Sequence, residues 1–461
     1  IKDGVETSSP LMKGYRKHLC DNYVIKKIMK IPQGMFASTG TATVCIYFIK
    51  KEGKSTENIQ FLQLNNECSQ LHEICKINLN DLKQNNYSWD PNAYLVDEKM
   101  KELMEKSKCE FKMLKDVIIT ESGERVTKKN DHDDNGLYYV YGGGGSNEKF
   151  KVNKFNRNGF NCKISKYGAS SKNFISIINE EFWLHDNGFT IKSNNENILL
   201  TEYLANFMVL ILRTDENYKR LNLGAPPKLS MNIFYELMVP IPKVEIQTKC
   251  VEQLNDLSNQ KEMINSMKDG IKRQMKYFID SQIKKGVNEN NCDYIKLGNL
   301  VNDVPTNKTI PNKEIKEGIY DYYSCSRNSF KSDKYDYEGE YLIHGSRGST
   351  ISESVFYING KFSLGTSVFI STSKENSNIK FIYYYLKTNH EKIFSSIITG
   401  GSIPMISKKV YYDILIPIPK LEIQESITQK MNELSDKIKI LDNDIVFIDN
   451  LMKEIMQSTY Q

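Results

Sequence analysis

Three groups of residues have the types and spacing that could carry chemistry. Cys68, His72 and Cys75 offer soft ligands within one short stretch, the raw material of a zinc site. A structural zinc site needs four ligands, and no matching second half follows. The spacing therefore predicts buried thiols beside a surface histidine, with no metal. Gly142, Gly143, Gly144 and Gly145 form a run that could cradle a phosphate. A cofactor loop, however, needs a strand before it and a helix after it. Here aromatic residues precede the run and charged loop residues follow, so no cofactor is expected on it. His185 and His344 stand at non-equivalent places and are expected to be satisfied or exposed rather than catalytic. No PD…(D/E)xK nuclease cluster can be placed, and no catalytic residue is assigned.

Length and composition bound the elements that hold these residues. At 461 residues, and roughly 150 per domain, about three domains are expected. Hydrophobic residues at 39% and aromatics at 11% exclude global disorder. No run approaches the roughly 18 apolar residues of a membrane span, so no membrane partner is expected. Sixty-two Lys and Arg against 57 Asp and Glu leave +5, which alone points to no polyanionic partner. Nine cysteines without a CxxC pair fit reduced thiols in a cytoplasmic setting. The opening IKDGVETSSP has neither an apolar core nor a basic leader, so no secretory signal is expected. It also lacks an initiator Met, and Ile1 is expected to lie inside a longer polypeptide.

A long duplication organises the chain. Residues 239–247 read VPIPKVEIQ and residues 416–424 read IPIPKLEIQ, with seven of nine positions identical at an offset of 177. Upstream, FKMLKDV (111–117) parallels YIKLGNL (294–300). The aromatic run from Tyr138 to Tyr141 parallels that from Tyr320 to Tyr323. Lys163 to Ser170, with Gly168 at a turn, parallels Ile343 to Thr350, with Gly348. Phe182, Leu184 and Phe189 fall 180 residues before Phe362, Leu364 and Phe369. Each copy is roughly 130 residues long. Short Tyr-, Phe-, Ile- and Val-rich runs broken by Gly, Asn and Ser predict mixed strand and loop.

Each copy ends in Pro-x-Pro, a helix-start signal, followed by a long helix. Glu245 and Glu422 fall in the first turns, where the helix dipole favours a negative charge. The second helix carries a heptad seam: Ile427, Met431, Leu434, Ile438, Leu441, Ile445, Ile448, Met452 and Ile455. The first carries a looser one: Leu254, Leu257, Ile264, Met267, Ile271, Met275 and Phe278. Its next position is the polar Gln282, where the stripe is expected to fade. Residues 245–285 hold eight basic and six acidic side chains, against four and eight in residues 421–461. Opposite charge and the duplication favour the helices pairing with each other over a homo-oligomeric coiled coil, and the connecting module would make them antiparallel, with one globular module at each end.

With two variable modules, and helices that open on P-x-P-K-x-E-I-Q, the chain resembles the specificity subunit of type I restriction-modification systems. The resemblance covers about residues 110–461, and its markers are Pro240, Pro242, Glu245 and Gln247 with Pro417, Pro419, Glu422 and Gln424. The N-terminal part is similar to the end of an adenine-specific DNA methyltransferase of the modification-subunit kind. It carries an apolar TVCIYFI strand and an N-Y-S-W-D-P-N-A-Y segment (86–94), in which Trp89 replaces a usual Leu. The resemblance implies an α/β (α+β) fold: two mixed strand and loop target recognition domains joined by long antiparallel coiled-coil helices, behind a truncated methyltransferase sheet. The divisions are 1–100 for the methyltransferase remnant, 101–243 for the first recognition domain, 244–290 for the first spacer, 291–420 for the second recognition domain and 421–461 for the second spacer.

The family's catalytic N-P-P-[FY] motif is missing, and Asp90-Pro91-Asn92 is no substitute. The chain alone is therefore not expected to methylate. S-adenosylmethionine belongs to the missing methyltransferase part. The implied partners are double-stranded DNA, a modification subunit or upstream domain, and a restriction subunit. The implied DNA contacts are Gly142, Gly143, Gly144, Gly145, Ser146, Lys166, Tyr167 and Ser170 in the first module. In the second they are Ser326, Arg327, Ser346, Arg347, Ser349, Gly401 and Ser402. Arg347 is the sharpest of these, since a guanidinium fork matches guanine O6 and N7. The competing expectation is a structural coiled-coil protein with globular ends and no DNA preference.

Overall fold

The computed structural model describes residues 10–31, 43–53, 56–64, 70–84, 87, 89, 91, 103–142, 151–168, 170, 172–223, 228–306, 318–375, 377–400 and 403–461. The chain divides into two compact units, Ile1–Ser258 with Asp449–Gln461, and Asn259–Ile448.

In the first unit, the N-terminal part forms a four-stranded sheet. Its order is Thr43–Lys50, Tyr23–Ile31, Asn58–Leu64, Leu71–Asn78, and only the central pair is parallel. The expected TVCIYFI strand is there. Its core gathers Ile25, Ile28, Phe61 and Trp89, all essentially sealed from water. Of the Cys-His-Cys group, Cys68 lies outside the described residues, His72 is exposed and Cys75 is half-buried. The described residues contain no group of side chains suited to hold a metal ion.

Strand by strand, the duplication appears in the ladders. The first module orders its strands Ile118–Ser122, Gly188–Ser193, Phe160–Ser165, Ile175–Asn179, then Trp183–Leu184, Tyr138–Tyr141, Lys151–Val152 in a separate sheet. The second module has Val301–Asp303, Val368–Ser373, Tyr337–Gly345, Val355–Leu364, Tyr320–Tyr323 and Phe330–Ser332 in one six-stranded sheet. Register agrees as well as order: Gly188 faces Ser165 as Val368 faces Gly345, and Leu184 runs beside Tyr141 as Leu364 runs beside Tyr323. The sheets differ at one place. In the second module Gly360 faces Gly339, both with positive φ, and the long strand passes through. The first module has Glu180 and Glu181 at the corresponding step, and there the strand is broken.

Each module packs against two helical segments. The long helices are Val244–Asn288 and Leu421–Ser458. In the first unit, Cys250, Val251 and Leu254 share one core with Met456 and Tyr460. In the second, Met275, Ile279 and Ile283 share a core with Ile427, Met431 and Leu434. There Lys268 forms an ion pair with Asp442, so the segments run antiparallel. The stripe on the first helix does not fade at Gln282. It moves to Ile279 and Ile283, while Met267 lies exposed. An α-helix has 3.6 residues per turn, so a 3.5-residue stripe must slip sideways, and a four-residue step restores contact.

A buried amide locks each helix start. The Gln247 side chain accepts from the Leu200 N–H at 2.8 Å and donates to the carbonyls of Ile198 (2.8 Å) and Pro242 (2.7 Å). Gln424 accepts from the Asn378 N–H at 3.3 Å and donates to the Pro419 carbonyl at 2.7 Å. Leu200 and Asn378 are the N-cap residues of the module helices Thr201–Phe207 and Ile379–Thr388. The glutamine thus ties the first turn of each long helix to the first turn of a module helix. Gln247→Leu is expected to cost about 2–3 kcal/mol, because it strands buried backbone groups. Gln424→Leu, with two bonds to lose instead of three, should cost less; midpoints of urea denaturation check both.

Candidate nucleic-acid interface

Each module ends its central hairpin in the same construction. After Phe160–Ser165 the chain turns through Lys166, Tyr167 and Gly168; after Tyr337–Gly345 it turns through Ser346, Arg347 and Gly348. Both glycines have positive φ, which a side chain would resist. The Lys166 N–H donates to the Asn187 carbonyl at 2.7 Å, as the Ser346 N–H does to that of Ser367 at 2.8 Å. On the other side, the Leu229 N–H donates to the Lys166 carbonyl at 2.9 Å and the Ile406 N–H to the Ser346 carbonyl at 3.0 Å. Isolated β-bridges then join Tyr167 to Lys228 and Arg347 to Met405. Leu229 and Ile406 are buried, while Tyr167, Lys228, Arg347 and Met405 are exposed. Period-two alternation explains the contrast, since neighbours on an extended segment face opposite ways.

The expected contact residues fall into distinct settings. Tyr167 is 41% exposed, with the Lys228 ammonium 5.5 Å from its ring centroid. Arg347 is exposed and makes no ion pair among the described residues. Arg327 is committed: its Nε and a terminal nitrogen each lie 2.5 Å from a Glu353 oxygen, a two-pronged carboxylate pair. Lys166 reaches Ser122 Oγ at 3.2 Å and the Asp186 carbonyl at 3.4 Å. Gly142 is buried, its carbonyl receiving the Lys163 ammonium at 2.8 Å and Ser165 Oγ at 3.4 Å. Gly142 is thus a buried acceptor and not an exposed contact. Ser170 and Ser349 are exposed, Ser326 and Ser346 half-buried. Residues 143–146, Gly401 and Ser402 lie outside the described residues. Sequence reasoning missed Lys228 and Met405; the offset of 177 between them, equal to that of the Pro-x-Pro motifs, is the signal that could have found them.

Comparison with known proteins gives a consistent pattern. Residues 106–273 and 290–446 match the model of the type I restriction modification DNA specificity domain. Residues 2–110 match that of N-6 DNA methylase. A putative type I restriction enzyme specificity subunit of Haemophilus influenzae is 28% identical over 142 residues, covering 30% of this chain and 36% of that protein. The MjaVIII specificity subunit of Methanocaldococcus jannaschii is 24% identical over 267 residues, covering 50% and 63%. The chain thus spans less than two thirds of the length of either relative. The crystal structure of a type I restriction-modification S subunit from M. genitalium aligns with 77% of this chain and 97% of its own, at 14% identity and a TM-score of 0.47.

Directly behind the second turn lies His344, which is neither satisfied nor exposed. It occupies the ladder position of Ile164 in the first module, facing Phe369 as Ile164 faces Phe189. Its ring is sandwiched between Phe394 and Tyr411, at 4.3 and 5.0 Å, and neither nitrogen has a hydrogen-bond partner of good geometry among the described residues. Burial, with the Lys387 ammonium acting in the same direction, pushes its pKa down to about 3. In the unfolded chain it titrates near its ordinary value of about 6.5, so the unfolded state takes up the proton first as pH falls. This contribution costs stability as pH drops from about 6.5 towards 3. His344→Ile is expected to remove it: between about pH 7.5 and pH 5 the variant should lose less thermal stability than the parent, as read by melting temperature.

Proposed function

We propose a function from one premise: this chain belongs to the family of type I restriction modification DNA specificity domains. Its role is sequence-specific binding of double-stranded DNA, with each recognition module contacting one half of a two-part site. The observation that carries this reading is the pair of matched turns, in which a common backbone presents different exposed side chains, Tyr167 and Arg347. Such a pairing suits a task in which two surfaces dock alike on a duplex and read different bases. Phosphate contacts set the register, and side chains at groove edges select sequence.

Recognition modules at 101–243 and 291–420 would be separated by the spacers at 244–290 and 421–461, whose length sets the gap between half-sites. Methyl transfer belongs to a modification subunit or an upstream domain, which would hold S-adenosylmethionine, and a restriction subunit is a further partner. The residues of this chain do not fit that cofactor. The sequence holds neither N-P-P-[FY] nor a glycine-rich strand–turn–helix. The left-handed glycine described in the N-terminal sheet, Gly53, lies between two strands rather than before a helix. No methyl-transfer step is therefore derived for the chain.

Affinity for a two-part duplex should exceed that for either half and fall linearly with log salt, by filter binding or anisotropy. Arg347→Ala should cost about 1–3 kcal/mol of discrimination at one guanine of a single half-site. Adding one turn to both spacers, about 5.4 Å, should lengthen the preferred gap by one to two base pairs. An unchanged gap would count against spacing by the helices. The competing structural role predicts self-association with no DNA preference at all.

A further inference from the structure

The backbone at the two turns is held by matching hydrogen bonds, while the side chains on it have been exchanged in a particular way. In the first module the turn carries an aromatic, Tyr167, and the bridged partner strand carries a cation, Lys228. In the second the turn carries the cation, Arg347, and the partner strand the apolar residue, Met405. The partner strand is in each case the return of a short hairpin. Lys228–Leu229 pairs with Asn222–Leu223, and Met405 exchanges hydrogen bonds with Thr399 at 2.7 and 2.9 Å. All four side chains are exposed beside buried neighbours, Leu229 and Ile406. A lysine held over a tyrosine ring gains only about 0.5–1 kcal/mol at an exposed site. Stability alone therefore gives weak reason to keep a matched exposed pair at this place in both modules.

We propose that Lys228 and Met405 are specificity-determining residues, the second base reader of each module. This rests on the DNA-binding reading above. A cation donates to the guanine acceptors O6 and N7, and an apolar side chain packs on the thymine C5-methyl group. Each module then reads one guanine and one neighbouring thymine, through one residue on the turn and one on the hairpin. Because cation and apolar residue change places between modules, the guanine and thymine contacts occur in opposite order in the two half-sites, relative to the module frame. The lysine acts as a compact point charge with three donors, so guanine selection through Lys228 is less sharp than through the arginine fork.

The test is selection from a randomised duplex pool by the 461-residue chain, with Lys228→Met and Met405→Lys alongside the parent. The expected result is a two-part site for the parent. Lys228→Met should lose roughly tenfold in preference for guanine at one position of one half-site, with the other half unchanged. Met405→Lys should lose a thymine preference at one position in the opposite half. Melting temperatures guard against unfolding, since both side chains are on the surface. If the parent selects a two-part site and the variants keep every base preference, the proposal fails, and a uniform loss of affinity for all sequences overturns it equally. If the parent selects no sequence, the DNA-binding reading itself is what has failed, and this proposal falls with it.

Discussion

An amide buried away from water must find partners for its polar atoms, and in both copies those partners fix where a long helix begins. Gln247 and Gln424 each sit in the first turn after Pro-x-Pro and bond to the backbone at the start of a module helix. An unmet bond there would leave a buried donor or acceptor stranded, so the helix is held in direction as well as in place. Direction matters because the helices run 45 and 38 residues. In the second unit the lock at Gln424 stands three residues before Ile427, where the seam of Met275, Ile279 and Ile283 against Ile427, Met431 and Leu434 is built.

Much of this was legible because duplication supplies a second reading of every position. Leu184 and Leu364, 180 residues apart, have ladder neighbours Tyr141 and Tyr323 that both belong to the matching aromatic runs, and the parallel drawn between 111–117 and 294–300 holds as a strand followed by a four-residue helix. What escaped had a common cause: the sequence pattern gives the type of side chain and leaves its partner unknown. Gln247 and Gln424 were visible as markers, but a buried amide reads like any polar residue one turn into a helix. Arg327 and Arg347 look alike in sequence, and only the Glu353 carboxylate separates a committed guanidinium from an available one. The stripe on the first helix was followed at heptad spacing past the point where an α-helix leaves it, which hid Ile279 and Ile283.

His344 and Ile164 show how far the two copies can drift while the backbone stays the same. One strand position holds an aliphatic side chain in one module and, in the other, an imidazole whose nitrogens have no hydrogen-bond partner of good geometry among the described residues. The sandwich of Phe394 and Tyr411 gives that ring a flat, apolar slot, so the neutral form fits and the charged form is excluded. A polar residue in the core thus carries no evidence of catalysis here. It is a packing solution with an electrostatic penalty.

The mild net charge of +5 gains meaning from where cations are tied down. Lys163 is buried on a carbonyl, Lys166 is engaged at Ser122 and Asp186, Arg327 is neutralised by Glu353, and Lys268 by Asp442. Cations held in this way position backbone and pack elements. Two exposed cations stand at the matched constructions, Lys228 on the hairpin strand of the first and Arg347 on the turn of the second, each on backbone held by a β-bridge. With no carboxylate partner among the described residues, such a donor breaks no ion pair when a ligand acceptor arrives. On the proposed DNA-binding reading, selectivity rests on a few such donors, with overall basicity a minor contribution.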